Sequence, residues 1–208
     1  MNDNKIFWQR FARLYSPFME RGNKQLYEQI CENTLPFLNK EMTVLELACG
    51  SGQLSFRLAR YAKLWEATDF SENMIAEAKK HSKYKNLHFS VQDATSLPYA
   101  DGSFDAVVIA NALHIMPEPD RAMSEICRVL KEGGTLIAPT FIHGEGGRYR
   151  FRIKMMNLIG FKTYSKWNAD EFVEYIISYG YEIREQSVLG STLTPLCCLV
   201  ATRAKGIR

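Results

Sequence analysis

Residues 44–52 combine an apolar run, an acidic residue and a turn with two glycines. They read Val-Leu-Glu-Leu-Ala-Cys-Gly-Ser-Gly, and the next apolar run ends in Asp69. Such a turn lets the main chain approach a ligand closely because glycine has no side chain to intervene. N–H groups at the start of a following helix attract an anionic group, and an acid at the end of the second strand accepts hydrogen bonds from ribose hydroxyls. The spacing therefore predicts a site for a nucleoside-containing ligand at Gly50, Gly52 and Asp69.

NAD is the main rival ligand for a glycine-rich turn of this kind. The NAD fingerprint requires three glycines, and Ser55 stands where the third glycine or alanine belongs. The later pairs Asp93-Ala94 and Phe104-Asp105 also have no role in NAD recognition. The sequence therefore disfavours an NAD-dependent oxidoreductase.

Short apolar runs that alternate with amphipathic segments surround this turn. Strands are predicted at residues 43–47, 64–68, 87–91, 104–110, 135–141, 181–188 and 194–202. Helices are predicted after the caps Ser71 and Asn168, the latter paired with Glu171, and from Pro119 to a stop at Gly133-Gly134. This order predicts an α/β fold: a doubly wound, mainly parallel seven-stranded sheet with helices on both faces and an antiparallel last strand.

The composition limits the class of protein. The net charge of +3 is too small to imply nucleic-acid or membrane binding by the whole molecule. No apolar run approaches the roughly 20 residues that a membrane span needs, and the polar start carries no secretion signal. The five cysteines are odd in number and form no CxxC pair, which disfavours a disulfide framework or a metal site. We therefore expect a cytoplasmic protein without stable membrane insertion.

Several motifs in the chain together resemble those of class I S-adenosylmethionine-dependent methyltransferases. The subgroup they resemble is that of the ubiquinone and menaquinone biosynthesis methyltransferases, methyltransferase type 11. The matching segments, in the order in which the family has them, are 46–52, 69–74, 93–94, 104–114 and 128–136. Because these motifs occur together and in order, the resemblance is specific, and it covers residues 10–200.

The resemblance implies S-adenosylmethionine as the cofactor and S-adenosylhomocysteine as its product. The cofactor-binding residues that it implies are Glu46, Ala48, Cys49, Gly50, Gly52, Asp69, Phe70, Met74, Asp93, Ala94 and Asn111. The residues of the first turn would line the methionine part, with Glu46 organising the loop. Asp69 would hold the ribose, Phe70 and Met74 would flank the adenine, and Asp93 would accept from the adenine amino group beside the Ala94 amide. Asn111 would lie near the sulfonium.

Two regions lie outside the predicted strand and helix pattern. Residues 1–40 carry apolar residues at helical spacing and are predicted to form a helical N-terminal cap within the same domain. Residues 41–208 form the Rossmann-like methyltransferase domain, with a basic and aromatic insert at 144–166. Six basic residues and no acidic residue occur at 148–166. This segment is either an amphipathic cap helix with a solvated basic face or a lid that draws an anionic or membrane-associated acceptor toward the site by peripheral contact.

The resemblance predicts cofactor residues better than a catalytic residue. A sulfonium methyl group is already an activated electrophile, so catalysis can rest on orientation and on the exclusion of water. If the acceptor must lose a proton, a base has to lie within hydrogen-bond reach. The candidates are His114 and His143, which follow the fourth and fifth strands, and Tyr15 in the predicted cap. Each of the three has an alternative role in packing or in contact with solvent.

The expected acceptor is a small molecule. Enzymes that methylate exocyclic amines of nucleic-acid bases carry an Asn/Asp-Pro-Pro-aromatic segment after the fourth strand, whereas residues 111–114 read Asn-Ala-Leu-His. A phenol, a quinone precursor, an amine or a lipid head group fits better than nucleic acid. We expect a monomer or homodimer that transfers a methyl group. The alternative is a regulatory protein that binds the cofactor without turnover.

Overall fold

The structure is a computed structural model that describes residues 24–143, 162–191, 194–204 and 206. Residues 24–34 are helical and form α1. The strands are β1 (Thr43–Leu47), β2 (Leu64–Asp69), β3 (Leu87–Val91), β4 (Phe104–Ile109), β5 (Leu130–Ile137), β6 (Thr140–Phe141), β7 (Tyr181–Ser191) and β8 (Thr194–Arg203). The remaining helices are α2 (Ser55–Leu58), α3 (Glu72–His81), α4 (Pro119–Val129) and α5 (Ala169–Ile177), with 3₁₀ turns at Leu35–Phe37, Ala59–Tyr61 and Leu113–Ile115.

The strands of the described chain form one sheet. Its order is β3-β2-β1-β4-β5-β8, with β7 on the outer side of β8 and β6 pairing with the end of β8. Strands β1 to β5 are parallel, and β8 is antiparallel to both β5 and β7. The predicted fold class is confirmed. The predicted strand at 135–141 is divided into the end of β5 and the separate β6 because Pro139, which has no N–H to donate to a ladder, lies between them.

The centre of the sheet is covered on both faces. Residues 106–109 of β4 are fully buried, as expected of a parallel strand between two layers of helices. One face packs against α1, α2 and α3, and the other packs against α4 and α5. Because β2 and β3 extend the sheet in one direction and β4 and β5 in the other, the order reverses between β1 and β4. Ligands bind at such a reversal, outside the carboxyl ends of the strands.

Two predicted helix starts are formed by the expected hydrogen bonds. The Ser71 side chain accepts from the Met74 N–H, and Asn168 and Glu171 form a reciprocal capping box. Helix α4 begins at Pro119 as predicted but ends at Val129, before Gly133-Gly134, because the chain enters β5 at once. The glycines instead lie in β5, where the pairing with β4 shifts register and Gly133 has a φ of 71°. They accommodate this irregularity in the sheet and do not stop the helix.

The predicted cap and insert are described only in part. Leu26 and Ile30 of α1 are buried against the sheet, as the helical spacing predicts. Residues 1–23, which include Tyr15, and residues 144–161 of the insert lie outside the described residues, so the division at residue 40 stays a prediction. Within the part of the chain that the structure describes, no helix has the length and apolar character to cross a membrane.

Candidate functional site

A cavity of about 320 Å³ lies at the carboxyl ends of β1 to β4, where the sheet order reverses. This volume is in the range of sites for small molecules. The predicted cofactor residues that line it are Glu46, Ala48, Cys49, Gly50, Asp69, Phe70, Met74, Asp93, Ala94 and Asn111. Residues separated by more than sixty positions in the chain thus surround one space.

The turn after β1 forms one wall of the cavity. Ala48 and Gly50 have φ values of 53° and 57°, in the left-handed region. For Ala48, which has a Cβ, this conformation costs about 1–2 kcal/mol. The turn is held by the Cys49 N–H, which donates to the Thr68 carbonyl at 2.9 Å. The turn is therefore fixed against β2, and Ala48, Cys49 and Gly50 line the cavity.

Gly52 has a different place from the one that the resemblance implies. It is not among the residues that line the cavity. A Cβ at Gly52 would lie 2.8 Å from the Phe56 ring and 3.3 Å from the Phe89 ring, and the φ of Gly52 is 91°. Gly52 is required because the turn packs directly on these two rings.

Glu46 is buried at the end of β1 and connects three elements. Its Oε2 accepts from the Ser55 Oγ of α2 at 2.6 Å and from the Trp65 Nε1 of β2 at 2.7 Å. Burial, and to a lesser extent the nearby Asp69 carboxylate, raises the pKa of Glu46 to about 7, although the two hydrogen bonds lower it. These contacts fix the start of the glycine turn, which is what the predicted loop-organising role requires.

Asp69 ends β2 and is also buried. Its Oδ2 accepts from the Gly50 N–H and its Oδ1 from the Ser71 N–H, each at 2.9 Å. Burial raises the pKa of Asp69 to about 6. Each carboxylate oxygen has a second lone pair, so Asp69 has the capacity to accept from ribose hydroxyls as well.

The opposite end of the cavity is formed after β3. The Asp93 Oδ1 accepts from the N–H of Thr95 at 2.9 Å and from its Oγ1 at 2.7 Å. Asp93 therefore caps a turn and lines the cavity at the same time, beside Ala94. Phe70 and Met74 contribute the apolar surface of the cavity after β2. This end of the cavity therefore combines apolar side chains with a carboxylate.

Asn111 follows β4 and lines the cavity with an unusual backbone conformation. Its φ is 54°, a left-handed value that asparagine tolerates better than most residues. The Asn111 N–H donates to the Pro139 carbonyl at 2.7 Å, which fixes the turn against the end of β5. The Oδ1 atom of its side chain is buried and has no hydrogen-bond partner.

The structure brings neither candidate histidine to the cavity wall. His114 is 6% exposed, and burial together with His143 lowers its pKa to about 3. A neutral imidazole with so low a pKa is a poor proton acceptor, so the geometry does not favour His114 as a base. His143 is partly buried, and its pKa is lowered mainly by this burial and also by the nearby positive charge of Lys166. Tyr15 lies outside the described residues.

The lining residues that the reasoning from sequence missed include Tyr27 and Gln53. Tyr27 of α1 is buried, with the Arg57 guanidinium 5.8 Å from the centre of its ring. The buried Gln53 donates from Nε2 to the Ser51 Oγ at 2.7 Å. The one signal for Tyr27 is its position three residues before the buried Ile30, on the inner face of α1. Helical spacing shows that this face is buried, but not that it reaches the glycine turn.

The comparisons with known proteins agree with this geometry. Residues 45–138 match the family described as "Methyltransferase domain". Together with the fold and the cavity, this match identifies the segment as a methyltransferase domain of the class I, S-adenosylmethionine-dependent type. The predicted resemblance is therefore confirmed.

Two of the relatives that the chain matches are methyltransferases named for ubiquinone or menaquinone. The chain is 33% identical to the ubiquinone/menaquinone biosynthesis C-methyltransferase UbiE of Rickettsia massiliae over 138 residues. This alignment covers 62% of this chain and 55% of the relative. Over 107 residues it is 39% identical to the demethylmenaquinone methyltransferase of Renibacterium salmoninarum, with 51% and 44% covered. The match thus spans about half the length of these relatives.

A solved structure shows that the similarity of fold extends over nearly the whole chain. The magnesium protoporphyrin IX methyltransferase of Synechocystis, solved with bound S-adenosylhomocysteine, has a TM-score of 0.73 at 19% identity. The alignment covers 97% of this chain and 96% of that one. At this level of identity the likeness concerns the fold alone.

Proposed function

We propose that this protein transfers a methyl group from S-adenosylmethionine to a small-molecule acceptor. The observation that carries the proposal is the single cavity wall that joins the glycine turn after β1, Asp69 after β2, Asp93 after β3 and Asn111 after β4. These are the residues that the sequence motifs of the class bring to the cofactor. The relatives matched by the chain are named as methyltransferases, which supports the same activity.

The residues present fit the proposed cofactor. Asp69 is a buried carboxylate without a cation partner among the described residues, and ribose hydroxyls would supply it with further hydrogen-bond donors. We place the adenine between Phe70 and Met74, with its amino group toward Asp93. We place the methionine end against Ala48, Cys49 and Gly50, with Glu46 behind them, and the sulfonium near Asn111.

When bound, S-adenosylmethionine supplies an electrophilic methyl group, which passes to a nucleophilic atom of the acceptor while S-adenosylhomocysteine forms and the acceptor loses its proton. The protein contributes by holding the cofactor in position and by excluding water from the site. Ala48 and Gly50 hold the main chain in a fixed, strained turn, so little reorganisation is needed on binding. Leu54, Ile115 and Met116 give the cavity apolar surface that displaces water from the path of transfer.

For the acceptor, we propose a hydroxylated ring of the kind found in quinone precursors. Two relatives are named for ubiquinone or menaquinone synthesis, which favours such a ring over the amine and lipid head group that the sequence leaves open. Nucleic acid is not proposed as an acceptor. We keep the cytoplasm, which the cysteine pattern of the sequence favours, as the proposed location. We also keep the monomer or homodimer as the proposed state.

A second candidate function is cofactor binding without turnover. The observation that favours it is that no histidine lines the described cavity, and that the nearby His114 is buried and weakly basic. The two functions share the cofactor site and differ only in what happens to an acceptor. They therefore require different measurements.

Two experiments test these functions in turn. Calorimetric titration with S-adenosylmethionine, S-adenosylhomocysteine and NAD should give heat with the first two and none with NAD. Release of S-adenosylhomocysteine should then be measured with a panel of hydroxylated quinone precursors, phenols, amines and lipid head groups. Turnover with a hydroxylated ring supports the proposal. Binding without turnover on any acceptor supports the regulatory alternative, and absence of cofactor binding refutes both.

A further inference from the structure

The loop that connects β3 to β4 carries one wall of the cavity. The residues of this loop that line the space are Gln92, Asp93, Ala94 and Thr95. The Ser96 N–H donates to the Asp93 carbonyl at 3.0 Å, which closes a turn at residues 93–96. The next residue, Leu97, is buried in the core on the α4 side of the sheet. The position of the 93–96 turn is therefore set by what holds Leu97.

Two side chains of α4 hold Leu97 by both of its main-chain groups. The Glu125 Oε2 accepts from the Leu97 N–H at 2.6 Å, and the Arg128 Nη2 donates to the Leu97 carbonyl at 3.0 Å. Arg128 also donates from Nη1 to the Tyr99 carbonyl at 2.6 Å, two residues further along the loop. Because these bonds end on the backbone, the loop is fixed whichever side chains it carries.

Arg128 uses its whole guanidinium group in these contacts. Besides the two carbonyls, its Nε and Nη2 donate to the two carboxylate oxygens of Glu125, each at 2.8 Å. Its Nη1 also donates to the Asp101 Oδ1 at 2.9 Å. The five N–H groups of a guanidinium thus make five hydrogen bonds, which the three donors on the single nitrogen of a lysine cannot reproduce. The bonds from Arg128 hold the pKa of Glu125 below its ordinary value, so the pair is charged at neutral pH.

Helix α4 gives this pair a fixed base. Its fully buried side chains are Ala122, Met123, Ile126 and Val129. The residues just before its first turn, Pro117 and Glu118, line the same cavity. The Arg128 carbonyl also accepts from the Gly102 N–H at 2.9 Å, so the far end of the loop is attached to the same residue. The Glu125–Arg128 pair therefore connects the 93–96 turn to an element that is packed against the sheet and borders the site.

We propose that Glu125 and Arg128 are positioning residues for recognition of the adenine, which act by fixing the 93–96 turn where Asp93 receives the adenine amino group. The inference rests on the proposed function, because it assumes that the cofactor occupies the cavity with its adenine at Asp93. Neither Glu125 nor Arg128 is among the residues that line the described cavity. Both act through the turn and not by contact with the ligand.

A turn that is no longer fixed changes the recognition of one group of the ligand in particular. The amino group of adenine donates a hydrogen bond, whereas hypoxanthine has a carbonyl oxygen at the same position, which a carboxylate repels. A site built to bond one such group rejects the analogue that lacks it. A fixed Asp93 therefore distinguishes the two bases, and this distinction is lost when its carboxylate is free to move away.

Two ligands that differ in this group of the base test the proposal. The full chain is titrated by calorimetry with S-adenosylhomocysteine and with S-inosylhomocysteine. The parent should bind S-adenosylhomocysteine at least about tenfold more tightly than S-inosylhomocysteine. Equal affinities in the parent, or tighter binding of S-inosylhomocysteine, would overturn the proposal. Absence of binding of both ligands would refute the proposed function itself.

Arg128→Lys tests the pair, with Arg203→Lys as the matched control. The Arg203 Nη1 also donates to a main-chain carbonyl, that of Leu130 in β5, which lies outside the loop. Arg128→Lys should reduce the ratio of the two affinities to below about threefold, mainly by weakening the binding of S-adenosylhomocysteine. Arg203→Lys should leave the ratio unchanged.

Glu125→Gln serves if Arg128→Lys fails to fold. The amide of Gln can keep the bond to the Leu97 N–H but not both bonds to Arg128, so the ratio should fall about two- to threefold. A role in stability alone predicts that both variants lower the melting temperature and retain the ratio of the parent. That result, or an equal fall of the ratio in Arg203→Lys, would overturn the proposal.

Discussion

Replacement of Glu46 by Gln should stabilise the protein at high pH. Both hydrogen bonds to this side chain end on one oxygen, Oε2, which receives Ser55 at 2.6 Å and Trp65 at 2.7 Å. The amide oxygen of Gln can accept both, so Glu46→Gln removes the charge and keeps the contacts. Few buried carboxylates allow so nearly isosteric a neutralisation.

The size of the effect follows from the pKa. Burial raises the pKa of Glu46 from 4.5 to about 7. Between these values the folded protein holds a proton that the unfolded chain has released, so the free energy of unfolding falls as the pH rises. Over this shift the charged Glu46 costs about 3 kcal/mol at pH 8, and the penalty vanishes below pH 4.5. Glu46→Gln should therefore be more stable than the parent by about that amount at pH 8 and equal to it near pH 4.

The assay is urea unfolding at pH 5, 6, 7 and 8, followed by tryptophan fluorescence, since Trp65 lies against the substituted side chain. Glu77→Gln on α3 is the control. Lys80 beside Glu77 lowers the pKa of that carboxyl, so the charged form of Glu77 stabilises the fold and its removal should cost stability at neutral pH. If the difference in the free energy of unfolding between the parent and Glu46→Gln does not change with pH, burial does not destabilise the charged form of Glu46.

Four further variants test the site and the fold. Asp69→Ala should weaken S-adenosylmethionine binding by about 1.5–3 kcal/mol in calorimetry, and retained affinity would refute the placement of the ribose. Gly52→Ala should lower the free energy of unfolding by about 3 kcal/mol, because its Cβ would overlap the Phe56 ring at a φ of 91°. Gly102→Ala, with a φ of 61° and no atom nearer than 4.0 Å, should cost only about 1–2 kcal/mol, and equal losses would contradict the packing argument. Asn168→Ala should cost about 1 kcal/mol in chemical denaturation, since it removes a capping box, and an unchanged midpoint would count against it.

Most of the fold is predictable from the sequence because its signals are local. The apolar run at 87–91 becomes β3 with the same bounds, and the hydroxyl and amide caps at Ser71 and Asn168 begin their helices. The end of α4 is not predictable in this way. Gly133 resembles a helix stop, but its positive φ is used in the sheet, where β4 and β5 lose register. Only the pairing of two distant strands decides between these uses of a glycine.

The cavity at the strand ends is predictable to a similar extent and for a related reason. Residues at the ends of parallel strands meet at one edge, so the positions of Asp69, Asp93 and Asn111 follow from the strand order. Tyr27 reaches the same space from α1, whose placement depends on packing between layers and leaves no motif. The burial that makes His114 a poor base is equally invisible in the sequence, since it depends on which segments cover the end of β4.

The position of β8 sets the order in which the molecule can be completed. Although β8 is the last described strand along the chain, it lies between β5 and β7. Because a ribosome delivers the earlier strands first, the edges of β5 and β7 that pair with β8 are both open until β8 has been made. The nascent protein thus exposes an aggregation-prone gap until residues 194–203 arrive, and any ribosomal pause before them prolongs that exposure. Synonymous codons for residues 194–203 should consequently affect the yield of folded protein more than those that encode β1.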